Sequence, residues 1–218
     1  MASIYIIDTL RLNRLGLQVQ DEMDKWVDLH RQQGDLDGAC VVYSILMAML
    51  CGQCISGNDI DIYQKSDKRT HKGKFLSHLL EQQGLIREGY YLRKMSKEIN
   101  EANAGWSSMH YKKKETIVAC IDDFIGYDVP VVISVENSDM SHAILAIGVE
   151  YVAESQKVQK IFCLDPSCSK AKTAFWNCII DVSRKNAGEY PYWYITDDAV
   201  QRVQISEALV VEDENVEL

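Results

Sequence analysis

From residue 131 onward the chain reads as a succession of short β-rich runs, at 131–135, 143–152, 158–164, 174–182, 192–196 and 202–211. β-Branched and aromatic residues fill these runs, and polar or turn residues separate them, which is the pattern of an antiparallel sheet. Before Pro130 most of the periodicity is helical. Residues 19–30 carry Met23, Trp26, Val27 and His30 at helical spacing. Residues 39–50, rich in Leu, Met and Ala, predict a buried helix. Residues 71–83 put Phe75, Leu79 and Leu80 on one face, with Gly84 in the C-cap position. Two more helices are predicted over 90–103 and 115–125, and a short strand over 4–10. Helices followed by an antiparallel sheet give an α+β fold.

The chain has 218 residues, 47% of them apolar, which is enough to bury a core without metal or disulfide staples. One domain is expected over 1–206. An acidic tail is expected over 207–218, where five acidic residues occur without a Lys or Arg. The net charge of −9 argues against nucleic acid as a partner. The longest apolar run, interrupted by Tyr43 and Ser44, is too short to span a bilayer. No basic segment precedes an apolar stretch at the start, so no signal peptide and a cytoplasmic location are expected. Seven cysteines, an odd number, lie mostly in apolar stretches and read as thiols in a reducing compartment. No phosphate-binding loop or dinucleotide fingerprint occurs, and no cofactor is expected.

Cys40 carries the first chemical signal. It follows a Gly-rich loop and opens the apolar helix, where unpaired backbone N–H groups and the helix dipole favour a thiolate. A thiolate nucleophile needs a base. Of the five histidines, His30, His71 and His78 fall in predicted helices among polar neighbours, and His110 lies in a polar stretch beside lysines. His142 instead opens the apolar run Ala143-Ile144-Leu145-Ala146-Ile147, where a sheet would hold the imidazole still. The base needs an acceptor that orients it. Asp165 ends the next run and precedes Pro166, so two neighbouring strands would bring it beside His142. Read alone, Cys40 is an ordinary buried thiol, His142 a strand-end residue and Asp165 a turn starter. The three together are a nucleophile, a base and an orienter in order.

That ordered set resembles the papain-like cysteine peptidases. Cys40-Val41-Val42-Tyr43-Ser44 is similar to their nucleophile segment, and Ser141 to Gly148 to their His-Ala-apolar-Gly strand. The Asp165-Pro166 pair resembles the bacteriocin-processing-like branch, in which Asp stands where other papains have Asn. The resemblance implies a papain-like fold, with the nucleophile on a buried helix packed against a C-terminal antiparallel sheet. It also implies that Gln33 and the Cys40 N–H would hold the oxyanion, with Gln32 as the fallback. Gln33 lies seven positions before Cys40, one more than in the family.

Hydrolysis of an amide or isopeptide bond in a peptide or protein substrate is the leading expectation. The same triad would serve an acyltransferase, a transglutaminase or a glutamine deamidase. A silent peptide-binding module is the reading of another class. Substrate identity and oligomeric state are not legible. Cys51-Gly52-Gln53-Cys54 has redox spacing but closes its helix, the wrong end for thiol activation. Those two thiols with Cys163 and Cys168 would make a zinc set of unusual spacing, and no metal is expected. Tyr190-Pro191-Tyr192-Trp193-Tyr194 reads as strand packing, and Lys112-Lys113-Lys114 as a solvated turn.

Overall fold

The computed structural model describes residues 2–34, 38–61, 67–82, 90–152, 155–184 and 188–214. The chain order is β1 (Ser3–Ile6), β2 (Leu10–Asn13), β3 (Gly16–Gln20), β4 (Trp26–Asp28), α1 (Cys40–Cys51), a short 3-10 helix (Gly57–Ile60), α2 (His71–Glu81), α3 (Leu92–Ala102), β5 (Trp106–Tyr111) and α4 (Lys114–Gly126). It continues with β6 (Val131–Glu136), β7 (Ser141–Tyr151), β8 (Val158–Leu164), β9 (Cys178–Asp181), β10 (Tyr192–Thr196) and β11 (Val200–Asp213).

Six antiparallel strands close on themselves in the order β7-β6-β11-β10-β9-β8, and β8 returns to β7. Closure pairs every strand on both sides, so the ring has no edge. β1 adds to β7 beyond the end of β6, and β5 adds to β11. Gly148 permits the first of these additions. A Cβ there would lie 2.5 Å from the Tyr5 carbonyl oxygen.

Helix α1 rests on β7, β6, β11 and β3. Every residue of it except Tyr43 is buried, as expected of a helix that is apolar all round. No helix among the described residues is long and apolar enough to cross a membrane.

The predicted helix over 19–30 does not form. β3 runs through Gln20, and β4 begins at Trp26. The Asp21 carboxylate receives N–H groups from Met23, Lys25 and Gly57, and Asp24 turns the chain at φ 58°. A side chain that binds nearby backbone N–H groups competes with the helix. Met23 and Trp26, expected on a buried face, are 51% and 38% exposed.

Residues 207–213, expected in an acidic tail, belong to β11. Leu209, Val210 and Val211 are buried there between β6 and β5. His110, expected in a polar loop, lies in β5 opposite Leu209. The run at 174–182 narrows to the four residues of β9. The expected cap Gly84 lies outside the described residues.

Candidate active site

Cys40 is the first residue of α1. The helix has no side-chain cap at Ala39 and no acidic residue in its first turn, so no carboxylate competes for its positive end. Ala143, beside His142 on β7, ties the helix to the sheet. β8 makes its last pairing with β7 at Leu145–Leu164, which leaves the Ala143 backbone to α1. The Ala143 N–H donates to Cys40 Sγ at 3.4 Å, and Ser44 Oγ donates to the Ala143 carbonyl at 3.1 Å. Cys40 and Ser44 lie one turn apart on the same face of the helix. Both polar groups of Ala143 are therefore satisfied by α1, and His142 is fixed next to the thiol. Ser44→Ala should leave the buried carbonyl unpaired and cost about 1–3 kcal/mol. Urea unfolding measures this; an unchanged midpoint would mean that Ser44 does not hold the strand.

Two forces act on the thiol. Burial pushes the Cys40 pKa up, but His142 and the N–H groups of Ala143 and Val41 outweigh it, and the net shift is downward. Burial likewise disfavours the His142 imidazolium. Asp165 and Cys40 overcome that, and the pKa is pushed up to about 10. Both shifts favour the thiolate–imidazolium form of the pair over the neutral one. His142 Nε2 donates to Asp165 Oδ1 at 2.7 Å, which leaves Nδ1 for the sulfur.

Asp165 has no exposed surface. Its Oδ1 also receives the Ser167 N–H and hydroxyl, each at 2.6 Å, and its Oδ2 receives the Tyr194 hydroxyl. Burial raises its pKa, but His142, Ser167 and Tyr194 hold the carboxylate well below the ordinary range. The Tyr194 phenol is driven far upward by burial and by Cys178 and Asp165, so it stays protonated as a donor. The Asp165 backbone is pinned as well. Its N–H donates to Asn177 Oδ1 at 2.7 Å, and its carbonyl accepts from His30 Nε2 and Asn177 Nδ2, each at 2.9 Å. Asp165 is both a turn former, through Ser167, and the acceptor for His142.

The fold therefore brings Cys40, His142 and Asp165 together. The Gln33 N–H donates to the Pro166 carbonyl at 2.8 Å, which ties the segment before α1 to the Asp165 turn. The Gln33 Oε1 is buried without a hydrogen-bond partner. Gln32 is exposed.

Four residues of the site were not singled out for it in the sequence. Ser167 had a signal, the Asp-x-Ser spacing of a side-chain-capped turn. Tyr194 was visible only as one of several aromatics, and His30 was assigned to a helix that does not form. Asn177 precedes a strand and carries no local mark.

Five other thiols, Cys51, Cys54, Cys120, Cys168 and Cys178, are shifted the opposite way from Cys40. All seven cysteines are free. Burial pushes Cys51 upward and Cys54 up to about 12, and Cys120 and Cys168 up to about 11. Among the described residues, no three His, Cys, Asp or Glu side chains are grouped as a metal would require.

No family model and no curated protein matches the chain. Among solved structures, a crystal structure of UfSP from C. elegans is similar to it, with 12% identity and a TM-score of 0.44. The alignment covers 97% of this chain and 34% of that one, so this chain spans about a third of its length.

Proposed function

We propose that the protein is a papain-like cysteine peptidase that cleaves an amide or isopeptide bond with Cys40, His142 and Asp165. The observation that carries this reading is the placement of Cys40 at the start of α1, against the Ala143 N–H and beside His142, with His142 held at 2.7 Å by a carboxylate that has no exposed surface; the downward shift of the thiol agrees with it. An inert buried thiol is pushed upward, as the other shifted cysteines of this chain are. The Asp165-Pro166 pair favours the bacteriocin-processing-like branch of the family. The catalytic unit is taken to be one domain that includes β11.

In this mechanism the Cys40 thiolate attacks the substrate carbonyl carbon and forms a C–S bond. The carbonyl oxygen becomes an oxyanion, held by the Cys40 N–H and the Gln33 side-chain amide. The imidazolium proton of His142 passes to the leaving nitrogen as the C–N bond breaks. The thioester then takes up water, whose proton goes to His142, and the acid product leaves with the thiolate restored. Asp165 keeps the imidazole in one tautomer and balances its charge. Ser167 and Tyr194 fix Asp165.

The test is a panel of fluorogenic peptide amides with a peptidyl vinyl sulfone as trap. Wild type should release fluorophore and gain the inhibitor's mass on Cys40, and Cys40→Ala should do neither. Labelling without hydrolysis in any member of the panel would move the reading to acyl transfer. No labelling would leave a binding module.

A further inference from the structure

A cavity of about 620 Å³ lies away from the thiol, lined by Tyr91, Arg93, Lys94, Lys97, His110, Lys112 and neighbouring residues of α3, β5 and β11. We propose that this cavity holds an acidic stretch of the substrate polypeptide, three or more residues from the scissile bond. The inference rests on the peptidase reading and adds a substrate class to it.

Charge is the first argument. The chain carries −9 overall, yet Arg93, Lys94, Lys97 and Lys112 line this cavity against one carboxylate, Glu207. Lys112 and His110 both pair with Glu207 at 3.0 Å. Lys94 and Lys97 reach Glu98 and Glu101 only at 3.7 and 3.6 Å, along the exposed side of α3. Exposed pairs of this kind hold their partners weakly, so a carboxylate from outside can replace them at little cost. Part of the Lys112-Lys113-Lys114 run thus has a use beyond solvation.

Shape is the second. The cationic residues come from separated backbone positions. Arg93 to Lys97 spread along about 6 Å of helix, and Lys112 comes from a separate segment, just past the end of β5. A compact anion would use two of them at most. An extended peptide with several Asp or Glu side chains would use all four and lay its backbone over the Tyr91 ring, which is 76% exposed.

Position is the third. Ala143 pairs with Ser134, and Ser134 pairs with Glu207. Glu207 therefore stands two strand spacings, about 10 Å, from the residue whose N–H touches Cys40 Sγ. An extended chain covers that span in about three residues.

The experiment uses the full chain carrying Cys40→Ala, so that binding is read without turnover, with a fluorescein-labelled hexaglutamate peptide followed by anisotropy. Binding should be seen at low salt and weaken by at least about tenfold in the triple variant Arg93→Glu, Lys97→Glu, Lys112→Glu. It should also fade in about 0.5 M NaCl, where the screening length shrinks to about 4 Å. These three residues are exposed, so reversal should leave the fold intact. Equal binding by parent and triple variant would overturn the proposal. So would displacement of the peptide by inorganic phosphate at an ionic strength where chloride does not displace it. On the otherwise native chain, a substrate with Glu residues three to five positions from the cleaved amide should be cut faster than its Gln counterpart. If the peptide binds as expected but the native chain cleaves no amide, the cavity stands and the peptidase reading fails.

Discussion

Asp165→Ala is expected to lower stability by about 3–5 kcal/mol and to remove nearly all activity, the usual result of deleting one member of a buried charged pair. The deletion strands four donors at once: the His142 imidazolium, the Ser167 N–H, the Ser167 hydroxyl and the Tyr194 hydroxyl. Asp165→Asn should be far milder. Its carbonyl oxygen can still accept from His142 and Ser167, and its amide can donate to the Tyr194 oxygen. The pH dependence has a definite sign. Asp165 is held below the ordinary carboxyl value of 3.8, so its contribution is present above that value and lost as pH falls further. His142 is raised from 6.5 to about 10, so its contribution is full below pH 6.5 and lost as pH rises toward 10. The gap between wild type and Asp165→Ala should therefore be widest between those limits and narrow above pH 10. Urea unfolding across that range measures it, with vinyl sulfone labelling of Cys40 alongside. If Asp165→Ala unfolds and labels as wild type does, another residue orients His142.

Limited alkylation with iodoacetamide at pH 6 to 7 should modify Cys40 at least about tenfold faster than any other cysteine. A thiol with the ordinary pKa of 9.0 is about 1% ionised at pH 7, and the other shifted thiols here lie above that value. Cys40 lies below it, and although a stabilised thiolate is a weaker nucleophile, the gain in anion outweighs the loss. His142→Ala leaves burial to act on the thiol with little opposition. Its labelling at pH 7 should fall by about 10²-fold and recover only in base. Peptide mapping by mass spectrometry gives both rates. Uniform labelling of the seven thiols, or an unchanged rate in His142→Ala, would remove the ion pair from the account.

The second half of the chain was largely legible because its strands are long, apolar and cleanly punctuated. β8 and β10 fall where the alternation puts them. Helix α1 was legible for the opposite reason, an apolar run without strand alternation. The N-terminal sheet was not. Trp26 and Val27 obey a helical period by coincidence, and what decides their structure is the Asp21 carboxylate gathering N–H groups from two separate segments. β5 was missed because Ser107, Ser108 and His110 are polar, and α3 supplies Ser96 and Asn100 to meet Ser108. The three residues at the centre of the site could be named because each stands at the end of an apolar element. The residues around them could not, since Tyr194, Asn177 and His30 reach Asp165 only through barrel closure and the packing of the N-terminal segment.

β11 is the last strand of the described chain, and it lies between β6 and β10 in the ring and also carries β5. During synthesis, then, α1 and the strand that bears His142 emerge well before the wall that supports them. Until about residue 213 has left the ribosome, β6 has no partner on one side and the ring is open. Until then a nascent chain carries Cys40 and His142 without the closed ring around them. Pairings so distant in sequence also make for slow folding.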